Sequence, residues 1–250
     1  MARRLKRRHY LRTIRSALKT LVILAVIAGC ALVALAYIRE RPQDLPWTQL
    51  QLDKPIGMFT GQKLAALSGD YVFCQNLLDR AGVAFSPLPP VGDGECRRDE
   101  NIRLLEPTAG NTSFTPSGLA PSCPVAAALE IWETQIVQPA ALEHFGQRVS
   151  FIRHLGTYNC RQIGGSTRWS EHATGNAIDI AAFTLENGQI ISLSRDWNDT
   201  DPEAEFLRVI RDGSCDLFAT VLSPDYNAAH ADHFHLDQAE RGQLGYSLCR

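Results

Sequence analysis

Ala177-Ile178-Asp179-Ile180-Ala181-Ala182-Phe183, then Glu186-Asn187-Gly188, then Gln189-Ile190-Ile191-Ser192-Leu193 reads as a β-hairpin over 177–194, two apolar runs joined by a polar turn whose glycine accepts positive φ. Val149-Ser150-Phe151-Ile152-Arg153-His154-Leu155 reads as a strand before it, and the runs 217–222 and 233–236 as strands after it. Pro124 to Phe145 reads as the main core helix: proline suits a first turn, and Val125, Leu129, Ile131, Trp132, Ile136 and Leu142 make a broad apolar stripe, despite Pro139. Asp201-Pro202-Glu203 is a helix start, with an N-cap residue, a proline at the first helical position and an acid in the first turn. No repeat is evident. The expectation is an α+β domain, a small and mostly antiparallel sheet flanked by helices.

Toward the amino terminus the composition changes. Residues 1–20 hold eight of the 25 Lys and Arg and no acid, leaving 17 bases against 27 acids, a net of about −10, in the rest. That balance argues against a nucleic-acid partner for the folded part. Leu21 to Tyr37 is uncharged and, as a helix, reaches roughly 25 Å, enough to span a bilayer with snorkelling flanks. Because basic flanks stay cytoplasmic, 1–20 is expected to be a cytoplasmic tail, 21–38 a signal anchor in the bacterial inner membrane, and the remainder periplasmic. Two other readings stand beside it. A cleaved signal peptide lacks a convincing small-x-small site, and a lipoprotein signal is suggested by Ile27-Ala28-Gly29-Cys30, although the apolar run continues past Cys30. Residues 39–62, punctuated by Pro42, Pro46 and Pro55, are expected to form a linker, and 63–250 one folded domain. Within it, 85–122 is rich in Pro, Gly, Ser and Thr and is expected to be irregular surface pinned by Cys96 and Cys123.

Six cysteines, Cys74, Cys96, Cys123, Cys160, Cys215 and Cys249, lie beyond the apolar run. An even number in an oxidising compartment points to three disulfides. Pairing is open, with Cys215–Cys249 suggested as a tie for the carboxyl terminus.

Two dense clusters hold the groups that zinc uses in catalytic sites, where three protein ligands leave a fourth position for water. The first is Ser170-Glu171-His172-Ala173-Thr174-Gly175-Asn176-Ala177-Ile178-Asp179, in which Gly175 permits a tight bend. Asp179 lies between two isoleucines, where an unpaired carboxylate is costly and a metal ion, a buried ion pair or a hydrogen-bonded turn would supply the missing partner. The second is His230-Ala231-Asp232-His233-Phe234-His235-Leu236-Asp237, where strand alternation puts His233 and His235 on one face. His9, His144 and His154 are isolated, and an isolated histidine is more often a core or surface residue than a ligand.

These two segments resemble the bacterial extensin-like C-terminal domain, a family related to the D-Ala-D-Ala metallopeptidases that include VanY-type carboxypeptidases and MepA-type murein endopeptidases. The resemblance covers about residues 70–250 and implies a zinc-peptidase-like fold. In that wider group the ligands come from a His-x6-Asp motif and a later His-x-His or acid-x-x-His motif. Carried over, these imply His172, Asp179 and His235 as zinc ligands, Asp232 as the general base and His233 as an imidazole that polarises water or steadies the transition state. His230 would stand behind the ligands. Gly156-Thr157-Tyr158-Asn159-Cys160-Arg161 resembles the Tyr/Arg segment ahead of the first ligand, which implies Arg161 as a substrate or oxyanion contact, with Ser170 a further substrate-side candidate. VanY-like members usually carry Glu as base and approach the last ligand through acid-Pro-Trp-His. Here the sequence is Asp232-His233-Phe234-His235, so the division of labour between Asp232 and His233 stays open.

The function implied is a membrane-anchored zinc peptidase cutting an amide bond in peptidoglycan peptides, with Asp232 accepting a proton from water activated at the metal. The alternatives are a non-catalytic cell-wall-binding or scaffold domain with a closed metal site, and an interaction module without metal, in which the three ligands would lie far apart. No Pro-rich repeat of the kind that forms extended rods is present. The sequence leaves the bond cut and the oligomeric state open.

Overall fold

The computed structural model describes residues 2–107, 112–241 and 247–250, so part of the stretch 85–122 expected to be irregular, 108–111, lies outside the described residues. The chain divides into Met1–Pro42 and Gln43–Arg250. The first unit is one helix, α1 (Ala2–Glu40), whose Arg12–Glu40 part contains a window of mean hydropathy 2.8 and is long and apolar enough to cross a membrane. A membrane anchor and a signal sequence both meet that description.

The second unit begins earlier than expected. Residues 43–62 are not a free linker: Gln43, Leu50, Leu52 and Thr60 are buried. Prolines keep this stretch irregular while its leucines dock, and Gln135 fixes it by donating from Nε2 to the Lys54 carbonyl at 2.9 Å and accepting the Ile56 N–H at 3.1 Å. α2 (Thr60–Ala65) and α3 (Tyr71–Arg80) follow, the latter capped by the Asp70 carboxylate on the Phe73 N–H. The stretch expected to be surface then contributes core: β1 (Phe85–Pro87) pairs antiparallel with β2 (Ile102–Leu104), and Ile102, Leu104, Phe114 and Leu119 are buried. β3 is Ser113–Thr115.

The expected long helix is continuous in path but not uniform. α4 (Cys123–Trp132) passes through a π turn, Glu133–Val137, into α5 (Gln138–Phe145). Pro139 offers no N–H to the Gln135 carbonyl and its ring would press on it, so the wide turn sits where an α-helical bond could not form. The remaining elements are β4 (Val149–Gly156), β5 (Ala177–Leu185), β6 (Ile190–Ser192), α6 (Leu193–Asp196), α7 (Pro202–Ser214), β7 (Thr220–Leu222), β8 (Phe234–Asp237) and β9 (Leu248–Cys249). The β5–β6 hairpin turns at Gly188 with φ of 86°, and Asp201 caps α7 through the Ala204 N–H.

The sheet corrects the expected size and pattern. It has seven strands in the order β3-β4-β5-β8-β7-β9, with β6 also paired to β5, and it is mixed because β3 joins β4 and β9 joins β7 in parallel. The helical run α4–α5 supplies the crossover that a parallel β3–β4 pair requires. On its helix side Phe183 meets Trp132 at 5.9 Å and Phe206 at 5.3 Å between ring centroids, each side chain contributing roughly 1.5–3 kcal/mol of burial. Three disulfides, Cys74–Cys123, Cys96–Cys160 and Cys215–Cys249, staple the unit.

Candidate metal centre

His172 sits on a short 3₁₀ turn, Glu171–Thr174, that Ser170 caps by accepting the His172 N–H at 3.3 Å. The turn ends at Gly175 with φ of 74°, and a Cβ there would run into the Asn101 amide, so this bend requires glycine. Asn176 then ties the turn to its surroundings. Its Nδ2 donates to Glu171 Oε2 at 2.7 Å and to the Gln238 carbonyl at 3.0 Å, and its Oδ1 accepts from the Ser122 hydroxyl at 2.8 Å. Asp179 on β5 is paired in register with His235 on β8.

Asp179 reaches the right face because β5 is bulged. Arg153 pairs with Ala182 but His154 with Ile180, so Ala181 is an extra residue and the alternation flips across it. Phe183 thus faces the helices while Asp179 faces away from them.

The three predicted ligands converge. His172 Nε2 lies 3.1 Å from Asp179 Oδ1 and 3.1 Å from His235 Nδ1, and His235 Nδ1 lies 3.0 Å from Asp179 Oδ1. The ligands of one tetrahedral zinc ion stand roughly 3.3–3.4 Å apart, given bonds of about 2.0–2.1 Å. The outward nitrogens are engaged: His172 Nδ1–H donates to the Thr157 carbonyl at 3.0 Å, and His235 Nε2–H to Asp237 Oδ2 at 3.1 Å. In those tautomers both inward nitrogens present lone pairs to one another and to a carboxylate, an arrangement a cation resolves. The residues therefore fit a metal ion.

Burial works to raise the Asp179 carboxyl, but hydrogen bonds and charge from His172 and His235 hold it well below the usual carboxylate range. Burial works against charge on His235, yet Asp179 and Asp237 on its two sides lift it to about 9. Two carboxylates around one buried ring favour positive charge there, which a proton on His235 supplies when no metal ion does.

The other expected site residues divide. His233 points Nε2 toward Asp179 Oδ1 at 3.6 Å, and its Nδ1–H donates to Asp232 at 2.8 Å. Asp232 is exposed and is joined to the centre through His233. His230 stacks near both, 5.2 Å from the His233 ring and 6.0 Å from the His235 ring, and burial followed by those two histidines depresses it to about 4. Arg161 is exposed, and its charge acts on His230. Ser170 is buried as a cap, so the structure gives it a positioning contact where a substrate contact was expected. Asp237, Asn176 and the Thr157 carbonyl were not foreseen. Only Asp237 left a signal, since two residues beyond His235 on a strand it shares that face.

The family described as Extensin-like protein C-terminus matches residues 72–250. The chain belongs to this family. Its extensin-like region contains all three converging residues of the His-Asp-His cluster and all six disulfide cysteines. No curated protein and no solved structure matches the chain.

Proposed function

We propose that this extensin-like protein is a membrane-anchored, zinc-dependent peptidase that hydrolyses an amide bond in peptidoglycan peptides. The observation that carries the reading is the convergence of His172 Nε2, Asp179 Oδ1 and His235 Nδ1 within 3.0–3.1 Å, with both outward ring nitrogens already bonded. Imidazole and carboxylate donors suit zinc, and three of them match a catalytic rather than a closed four-ligand site. The relation to VanY-type and MepA-type peptidases, and the zinc-peptidase-like fold, belong to this reading.

Zinc at these groups supplies a Lewis acid for the amide carbonyl and a lowered pKa for water. The chain does the rest. His233, with Nδ1–H held by Asp232, presents Nε2 to accept the proton of the attacking water and return it to the leaving amine. Asp232 orients that ring and stabilises its charged form, a division of roles supported by the 2.8 Å bond between them. Arg161 offers a guanidinium on the His230 side for a substrate carboxylate or a developing oxyanion. β4 exposes Phe151, Arg153 and Leu155 on the face that Asp179 also shares, a floor suited to a chain-like substrate.

The anchor is residues 21–38, with the amino terminus cytoplasmic and Gln43–Arg250 periplasmic, a compartment in which three disulfides persist. The test is elemental analysis of the full-length protein in detergent, alongside His172→Ala and His235→Ala, followed by a muropeptide assay. Near-stoichiometric zinc lost in both variants, with product released only by the wild type, is expected. A wild type that cannot be loaded with zinc sinks the reading.

A further inference from the structure

The carbonyl that fixes His172 belongs to Thr157, which follows β4 directly and opens an exposed loop. Thr157 is buried and its hydroxyl donates to the Ala120 carbonyl at 3.1 Å, but Tyr158, Asn159, Cys160 and Arg161, which follow it, are all exposed, so packing does not hold 158–161 in place. Yet this loop runs against the ligand turn, with the Asn159 N–H donating to the His172 carbonyl at 2.9 Å and the Ser170 N–H to the Arg161 carbonyl at 3.1 Å. One segment grips it from outside. Cys96 is disulfide-bonded to Cys160, and the Arg98 guanidinium lies 4.0 Å from the centroid of the Tyr158 ring, a cation–π contact. The same segment closes the far side of the turn, because Gly175 packs against Asn101 and the Arg98 Cδ. It therefore touches the chain on both sides of His172.

We propose that Cys96–Asn101 is a clamp whose residues Cys96 and Arg98, acting on Cys160 and Tyr158, hold the Thr157 carbonyl and so pre-set the His172 imidazole for metal. The inference rests on reading His172, Asp179 and His235 as a metal site. Cys96, Arg98, Tyr158 and Cys160 are positioning residues. They act by removing the ordering cost that a loose 158–161 segment would impose on metal binding, beyond what the Thr157 hydroxyl bond to Ala120 already fixes. Orienting groups of this kind change metal affinity by about 10–100-fold.

The test uses the full-length protein in detergent. Zinc affinity by chelator competition, hydrogen exchange over 157–175 and thermal unfolding of the zinc-free protein are compared for the wild type, Cys96→Ser with Cys160→Ser, Arg98→Ala, Tyr158→Ala and Tyr158→Phe. Cys215→Ser with Cys249→Ser is the control for loss of a remote disulfide. Opening the clamp is expected to weaken zinc about 10–100-fold and to speed exchange over 157–175. Tyr158→Phe keeps the ring face and is expected to restore both, while the remote pair leaves zinc affinity unchanged. If the double cysteine variant does not fold, Arg98→Ala and Tyr158→Ala carry the test with every disulfide in place. Unchanged zinc affinity in the clamp variants overturns the clamp alone. A wild type that takes up no zinc overturns the metal reading and the clamp with it.

Discussion

His235 sits between two carboxylates, Asp179 at 3.0 Å on Nδ1 and Asp237 at 3.1 Å on Nε2, and each does a different job. Asp179 completes the His172–Asp179–His235 triangle that could hold a metal ion. Asp237 fixes the tautomer, so Asp237→Asn is expected to weaken zinc about 10–100-fold while leaving unfolding nearly unchanged, as read by chelator competition and thermal melts. The proposed mechanism also ranks His233 and Asp232. On the proposed peptidase reading, His233→Ala removes the proton acceptor and is expected to lower kcat about 10²–10⁴-fold, whereas Asp232→Asn, acting through the ring, costs less. The opposite ranking would make Asp232 the proton acceptor itself. At this scale the sequence was informative where chemistry is carried by residue type. His172, Asp179, His233 and His235 stand out as rare donors in short windows, whereas the Thr157 carbonyl has no side-chain signature, and Ser170 looks the same in sequence whether it caps a turn or meets a substrate.

Among the elements, the β5–β6 hairpin, α7 and the core strands were legible because apolar runs, caps and a Gly turn mark them directly. The Ala181 bulge was not. Strict alternation would put Asp179 and Phe183 on one face, and only pairing with β4 shows the extra residue that separates them. The edge strands β3 and β9, with three and two residues, are too short to show a period, which is why the sheet read as smaller and more antiparallel than it is. α4 and α7 were both foreseen, but their joint was not: Trp132 Nε1–H donates to the buried Ser214 hydroxyl at 2.8 Å. Ser214→Ala leaves that indole N–H without an acceptor and is expected to cost about 1–3 kcal/mol in chemical denaturation, with zinc affinity unaltered because the joint lies on the helix side of the sheet.

For the molecule as a whole, the docking of residues 43–62 has an electrostatic consequence. Leu52, Asp53 and Pro55 help to line an open cleft of about 350 Å³ together with Ala81, Glu130, Thr134 and Gln135, and Glu130 is partly buried there. Burial, and then the charge of Glu133, push the Glu130 carboxyl from its ordinary 4.5 up to about 7. Between those values the folded protein holds a proton that the unfolded chain has released, so the Glu130 contribution is fully present below about pH 4.5 and is lost as pH rises through about 7. The full shift would correspond to about 3 kcal/mol at 1.36 kcal/mol per unit, and screening at a partly exposed carboxyl reduces this to about 1–2 kcal/mol. Asp179 runs the other way, since its carboxyl is held low, and its contribution is lost toward acid. The two opposing slopes make the wild-type profile alone a poor test, so the comparison is with Glu130→Gln, measured by denaturant unfolding of the zinc-free full-length protein. Equal stability near pH 4 and a gain of about 1–2 kcal/mol for the variant near pH 8 are expected. A variant that is no more stable at pH 8 than at pH 4, relative to wild type, would mean that Glu130 is fully hydrated and that residues 43–62 do not cover it in solution.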